Sequence, residues 1–172
     1  METVKCIKSR RSIRKYSDRK IPDKIIRELI DCARRAPSSH NAQSWEFIIV
    51  KNKTTKEKLS LIHKWAGFAK NASAIIAVCY DSERVKFSPS NLINPALAAG
   101  NILLATHSLG LGACYVYVKE SDEPEVEQKA KKLLNVPENI GVLCMIPVGY
   151  PDEKIQPKKL RKIDEMAHSD KW

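Results

Sequence analysis

Residues Ala96 to Leu109 are apolar on nearly every side of a helix: Leu97, Ala98, Ala99, Ile102, Leu103, Leu104 and Ala105 leave no polar face. A helix of that kind is placed in the middle of a fold rather than on its surface. Ala74 to Tyr80 is likewise an unbroken apolar run of strand length, so it reads as a strand covered on both faces. A central helix against a doubly covered strand requires a layered domain. The chain is 172 residues long with 43% hydrophobic residues, enough for one such core.

The remaining elements follow from local signals. Thr3 to Lys8 reads as a short helix with Val4 and Ile7 on one side. Pro22 and Asp23 open a helix whose stripe is Ile25, Ile26, Leu29, Ile30 and Ala33, ending before Pro37. Glu46 to Val50 reads as a strand. Thr54 with Glu57 predicts a capping box for a helix through His63. Arg84 to Ser90 reads as a loop, Gly110 as a helix terminator, and Ala113 to Val118 as a strand. Asp122 and Glu125 predict the cap of a helix ending near Leu134, and Gly141 to Val148 a last strand. The expectation is an α+β domain spanning residues 1–172. Its tail from Asp152 to Trp172 has little core of its own and is expected to pack on a second subunit.

Composition removes several function classes. The five cysteines include no CxxC pair, and the four histidines lack ligand spacing, so disulfide and zinc frameworks are not expected. Cys79, Cys114 and Cys144 lie in apolar runs and read as inert fillers. No run of apolar residues spans a bilayer, and no apolar signal region follows Met1; a cytoplasmic protein is expected, with no membrane partner. The net charge is +10, yet aromatic residues are 6% and do not interleave with the basic clusters, so no platform for nucleic acid is visible. The excess charge is assigned to anionic small molecules.

Three stretches carry the chemistry. Arg10-Arg11-Ser12-Ile13-Arg14 and Lys159-Leu160-Arg161 offer guanidinium forks and ammonium groups that match phosphate oxygens. Pro37-Ser38-Ser39-His40-Asn41-Ala42-Gln43 offers amides and hydroxyls just before a strand. Each alone reads as a solvated or turn-forming loop. Together they describe a phosphate grip plus a polar loop for a heteroaromatic ring. Leu109-Gly110-Leu111-Gly112 follows a helix and precedes a strand, the reverse of the dinucleotide-binding order, and is set aside. No P-loop and no serine nucleophile elbow is present.

The order of the motifs is more specific than any one of them: Arg-Arg-Ser-x-Arg-x-Tyr from Arg10; Ala36-Pro37-Ser38-Ser39-x-Asn41-x-Gln43-x-Trp45; Ala96 to Ala105 with Leu109-Gly110-Leu111-Gly112; Pro147-Val148-Gly149-Tyr150-Pro151; and Lys159-x-Arg161. Over nearly the whole chain this resembles the nitroreductase family of flavin mononucleotide (FMN) enzymes. The resemblance implies a mixed sheet sandwiched by helices in an intertwined homodimer. It also implies electron flow from NADH or NADPH through FMN to a small organic acceptor such as a nitroaromatic or quinone, in ping-pong fashion. By resemblance, Arg10, Arg11, Ser12 and Arg14 hold the phosphate and flavin edge, and Lys159 and Arg161 complete the phosphate site. Pro37, Ser38, Ser39, Asn41 and Gln43 reach the flavin from the partner subunit, and the strand at Tyr115 and Val116 lies beside the ring. No side chain is implied as an essential acid or base; His40 reads as an exposed loop residue, the alternative being a hydrogen bond to the ring or to a substrate.

Two departures stand out: Gln43-Ser44-Trp45 replaces the family's Gln-Pro-Trp, and the chain is too short for the helical insertion of longer members. The alternative readings are a flavin-binding or flavin-modifying protein without nitroreductase activity, and a nucleic-acid-binding module.

Overall fold

The computed structural model describes residues 1–85, 90–119 and 125–172. Its elements, in order, are α1 (Thr3–Ser9), α2 (Asp23–Ala33), β1 (Trp45–Val50), α3 (Lys53–Ser60), β2 (Ala74–Asp81), α4 (Ser90–Ser108), β3 (Gly112–Ala113), β4 (Val116–Tyr117), α5 (Val126–Leu134) and β5 (Ile140–Gly149). The strands form one sheet in the order β1-β2-β5-β3, with β4 also on β5, and every ladder is antiparallel.

The alternation of β2 divides the core. Ala74, Ile76, Val78 and Tyr80 point to one face, with Ile26 and Leu29 of α2 and Ala98, Ala99 and Ile102 of α4. Ile75, Ala77 and Cys79 point to the other, with Leu59 of α3 and Val126 and Ala130 of α5. Burial on both sides is why this strand has no polar alternation. On β5, Cys144 pairs with Val78 but Val142 pairs with Cys79, so Leu143 is an extra residue in the ladder. Such a bulge shifts the phase of the strand. Val142 thus joins the α3–α5 face, while Leu143 and Cys144 both join the α2–α4 face.

Several expectations need correction. The cap of α3 is Asn52, whose side-chain oxygen accepts from the Thr55 N–H at 2.9 Å, in place of a Thr54–Glu57 box. That helix stops at Ser60, three residues short of His63. The central helix starts at Ser90, earlier than Ala96, and carries Pro95 inside it. It is buried through Ala98, Ala99, Ile102 and Thr106, but Ile93 and Leu97 are 55% and 43% exposed. The expected strand Ala113–Val118 is two short ones, β3 and β4, broken at Cys114 and Tyr115. The Arg84–Ser90 loop lies in part outside the described residues, with Arg84 closing a 3-10 turn and Ser90 opening α4. Asp122 also lies outside them, and Glu125 sits at the N-cap of α5 without a side-chain capping bond.

The tail has the expected lack of core. From Asp152 to Trp172 every residue is exposed except the half-buried Glu153. Ile155, Leu160, Ile163, Met166 and Trp172 all present apolar surface to solvent.

Candidate functional site

The Arg10–Ser17 segment is laid against the end of the sheet by its backbone. Ile13 N donates to Ala113 O at 2.9 Å, Ser17 N to Tyr150 O at 3.0 Å, and Asp152 N to Lys15 O at 3.0 Å. Ser12 bridges Ala113 in parallel and Tyr16 bridges Pro151. Two glycines make the close approach possible. A Cβ on Gly112 would sit 2.7 Å from Ile13 Cβ, and one on Gly149 would sit 2.7 Å from Tyr16 Cδ1. Tyr16 then locks the segment from beneath, its hydroxyl donating to Ile13 O at 2.6 Å with Pro147 O, at 3.2 Å, as the second acceptor within reach of its one hydrogen. Burial, with smaller effects from Cys114 and Glu153, pushes that phenol well above its ordinary range.

This anchoring leaves Ser12 and Arg14 exposed and Arg10 and Arg11 half-buried at the surface. Arg10, Arg11, Ser12 and Arg14 line a cleft of about 370 Å³ whose other wall is Glu153 to Lys158. Arg11 donates to the carbonyls of Lys8 (2.9 Å), Arg10 (2.7 Å) and Gln156 (3.3 Å), so it ties the two walls together without losing its charge to a carboxylate. Glu153 is the one acidic lining residue. Its Oε1 accepts from the backbone N–H groups of Arg14 and Lys15, which fixes it away from the guanidinium ends. Among the described residues no carboxylate pairs with Arg10, Arg11 or Arg14. Among the described residues, three guanidiniums and the ammonium groups of Lys154 and Lys158 therefore line one cleft whose single carboxylate, Glu153, is bonded to backbone rather than paired with them.

Cys114 lies below the same groups. Burial pushes its thiol up, opposed by Arg14, by a hydrogen bond from Ser12 and by Arg10. The other strand cysteines are raised by burial as well, Cys79 to about 12, so these thiols stay protonated fillers as expected. Next to Cys114, Tyr115 and Tyr117 stack with centroids 6.4 Å apart and an interplanar angle of 16°. Val116 is buried and pairs with Met145.

Lys159 and Arg161 lie beyond the cleft wall, which ends at Lys158. Arg161 turns toward its own 3-10 turn: its Nη2 donates to Glu165 O at 2.5 Å, and Nε is 3.7 Å from the Glu165 carboxylate. Within this chain they do not line the cleft of the Arg10 cluster.

The second polar stretch is a strained loop. Ser38 precedes a 3-10 turn at Ser39–Asn41, and His40, Asn41 and Gln43 have φ of 53°, 55° and 47°. Left-handed backbone at non-glycine residues is uncommon and collects at functional loops. Pro37, His40, Asn41 and Gln43 are exposed, while Ser38 and Ser39 are half-buried. Gln43 N donates to Ser38 Oγ at 3.1 Å, and Gln43 Nε2 donates to Asn41 Oδ1 at 3.2 Å.

Sequence reading missed the residue that holds this loop. Asn94 of α4, 1% exposed, accepts from Ser39 N at 3.1 Å and donates to Ser44 Oγ at 3.2 Å. The signal was available: Asn94 lies on the same four-residue stripe as Ala98 and Ile102, an amide in the apolar face of a helix.

Comparison with known proteins extends these observations. The Nitroreductase family model matches residues 7–83 and 60–150. A protein of Archaeoglobus fulgidus, provisionally named NADH dehydrogenase/NAD(P)H nitroreductase, is 38% identical over 175 residues, covering 99% of both chains. The NADPH-flavin oxidoreductase of Vibrio harveyi is 27% identical over 185 residues, covering 99% of this chain and 74% of its own. The solved structure of an FMN-dependent nitroreductase from Clostridium difficile superposes with a TM-score of 0.86 at 31% identity, over 98% of this chain and 99% of that one.

Proposed function

The chain belongs to the Nitroreductase family, and from that premise we propose that it is an FMN-dependent oxidoreductase taking electrons from NADH or NADPH. The observation that carries the reading is the cleft lined by Arg10, Arg11 and Arg14, cationic and without a paired carboxylate. A phosphate monoester is the anion that such a cluster fits, because two or three charge-assisted bonds satisfy its oxygens. Ser12 adds a neutral donor or acceptor at the same edge. When bound, FMN supplies the redox chemistry, accepting hydride from the nicotinamide and passing electrons to a second substrate.

The protein's own work is binding, orientation and charge. Arg10, Arg11 and Arg14 hold the phosphate; Lys159 and Arg161 are assigned to the same grip, their tail repositioned by a partner subunit. The Pro37–Gln43 loop presents Ser38, Ser39, Asn41 and Gln43 as hydrogen-bond donors and acceptors to the ring. The interruption between β3 and β4, where Cys114 N donates to Pro147 O at 3.3 Å, is assigned to the place beside the ring at Tyr115 and Val116. Fixed cations near the cofactor favour its more negative, reduced form.

The reading includes a homodimer in the cytoplasm. Its support is the apolar surface of the tail together with exposed Ile93 and Leu97 of α4, more than one protomer covers alone. Among the described residues no helix is long and apolar enough to cross a membrane. The acceptor is taken to be a small organic molecule such as a nitroaromatic or quinone.

The test is direct. Purified protein is expected to hold FMN and, without oxygen, to bleach it on addition of NADH or NADPH, with colour restored by nitroaromatic or quinone. Protein that binds FMN but is never reduced by either nucleotide is a flavin-binding protein of another kind. Protein with no affinity for FMN overturns the reading.

A further inference from the structure

Asn94 stands out among the buried polar groups because both ends of its amide are spent on one loop. The loop is unfavourable in isolation. His40, Asn41 and Gln43 are all left-handed, with φ of 53°, 55° and 47°, and none is glycine. Conformations of that kind persist only where the surroundings over-determine them. Within the loop, Ser38 Oγ accepting from Gln43 N and Asn41 Oδ1 accepting from Gln43 Nε2 are bonds among groups that are themselves half-buried or exposed. They give the loop its shape but do not attach it to the core.

The attachment is made by Asn94. Its Oδ1 takes the Ser39 N–H at the entry to the turn, and its Nδ2 reaches Ser44 Oγ at the exit, where Ser44 is fully buried and its carbonyl accepts from Asp81 N at 2.8 Å. One side chain thus fixes the start and end of the left-handed stretch at a set separation. Because α4 also packs on α2, β2, β3 and β5, the clamp ties the loop to the middle of the core.

We propose that Asn94 is a positioning residue for the cofactor: it holds the Ser38–Ser44 loop in its left-handed form so that Asn41 and Gln43 are presented to the ring rather than to water. The inference rests on the FMN reading of this site. An apolar side chain of similar size at this position leaves the Ser39 N–H unpaired and frees the turn. A carboxylate preserves the clamp, since it accepts from Ser39 N–H and, with the hydroxyl reversed, from Ser44 O–H.

The experiment compares wild type with Asn94→Leu, Asn94→Asp and, as a control on the same helix, Thr106→Val, whose buried hydroxyl has no hydrogen-bond partner among the described residues. Two measurements are made: FMN affinity by fluorescence titration, and amide exchange of residues 38–44 without cofactor. Losing two ordinary hydrogen bonds weakens FMN binding about tenfold in Asn94→Leu. Exchange in 38–44 rises while that of β2 does not, Asn94→Asp recovers most of both, and Thr106→Val changes neither. Three results overturn the proposal: FMN affinity unchanged in Asn94→Leu, no recovery in Asn94→Asp, or β2 loosening together with the loop. A wild type that does not bind FMN overturns the reading of the site itself, and is distinguished by failing before any variant is compared.

Discussion

Ser9 Oγ and His107 Nε2 lie 2.7 Å apart, joining the last residue of α1 to the last turn of α4. Ser9 also donates to Lys5 O at 2.7 Å. A hydroxyl has one hydrogen to give, so the imidazole is the donor in the pair. The bond is therefore kept whether or not the ring is charged. Its position is what gives it weight: the next two residues are Arg10 and Arg11, and the bond fixes where they leave the helix.

A pH dependence follows. Burial, then Arg10 and Arg11, hold the His107 imidazole below its usual 6.5. The folded form thus resists protonation more than the unfolded chain does. Stability from this group is complete above the unfolded value and falls as pH drops below 6.5 toward the lowered folded value. Urea midpoints across this range are expected to decline in wild type and to decline less in His107→Gln, which keeps a donor but does not titrate. Phosphate bound in the cleft screens the two guanidiniums, so the imidazole should then titrate higher by NMR. An imidazole indifferent to phosphate contradicts this.

Gly149 offers a second test, independent of charge. A methyl there meets Tyr16 Cδ1 at 2.7 Å, Cγ at 2.9 Å and Cβ at 3.0 Å. Cβ cannot swing away, so the Arg10–Ser17 segment has to lift. Overpacking of this kind costs about 1–3 kcal/mol. Gly149→Ala is expected to lower the urea midpoint and, because the lifted segment carries the phosphate grip, to weaken FMN binding more than an equal loss of stability elsewhere would.

How much of this was legible in the sequence depended on whether the cause was local. The Ala74–Tyr80 run announced β2 because burial on both faces erases polar alternation. The stripe of Ile26, Leu29 and Ala33 gave α2 for the opposite reason: with one face buried, the apolar positions stand out at helical spacing against charged neighbours. The start of α4 was hidden by Pro95, which reads as a breaker although the helix runs through it. The break at Cys114 and Tyr115 was invisible because both flanking pairs are apolar, and only the geometry of β5 separates β3 from β4. The arginine cluster was legible as chemistry, but its setting on Gly112 and Gly149 was not, since those contacts span most of the chain. Asn94 was missed for a related reason: its partners lie 55 and 50 residues away.

Arg10 is the cleanest probe of the phosphate grip, because it lines the cleft without tying its walls together as Arg11 does. A hydrogen bond to a charged group is worth about 1.5–3 kcal/mol. Arg10→Ala should weaken FMN binding by roughly tenfold to a hundredfold, with Arg10→Lys in between because an ammonium lacks the planar fork. Unchanged flavin occupancy at dilute protein would sink the assignment.

The tail is the last element to test. Glu153 receives two backbone N–H groups from Arg14 and Lys15, and Gln156 O receives Arg11 Nε, so the cleft wall is built from the first residues of the tail. Beyond them, Leu160 and Ile163 are each 75% exposed and Trp172 is wholly so. Residues with these exposures bury little against their own chain, where Trp172 meets the His168 ring at 4.3 Å, and are expected to be covered by a second copy. Two truncations separate the roles. Ending the chain after Lys158 keeps the wall and removes the apolar tail; it is expected to yield protein of about half the native mass by light scattering, with FMN binding weakened through loss of Lys159, Arg161 and the partner's loop. Ending it after Pro151 also removes Glu153 and Gln156, and should abolish FMN binding altogether. A protein cut after Lys158 that stays dimeric and yellow would show that the tail acts in neither role.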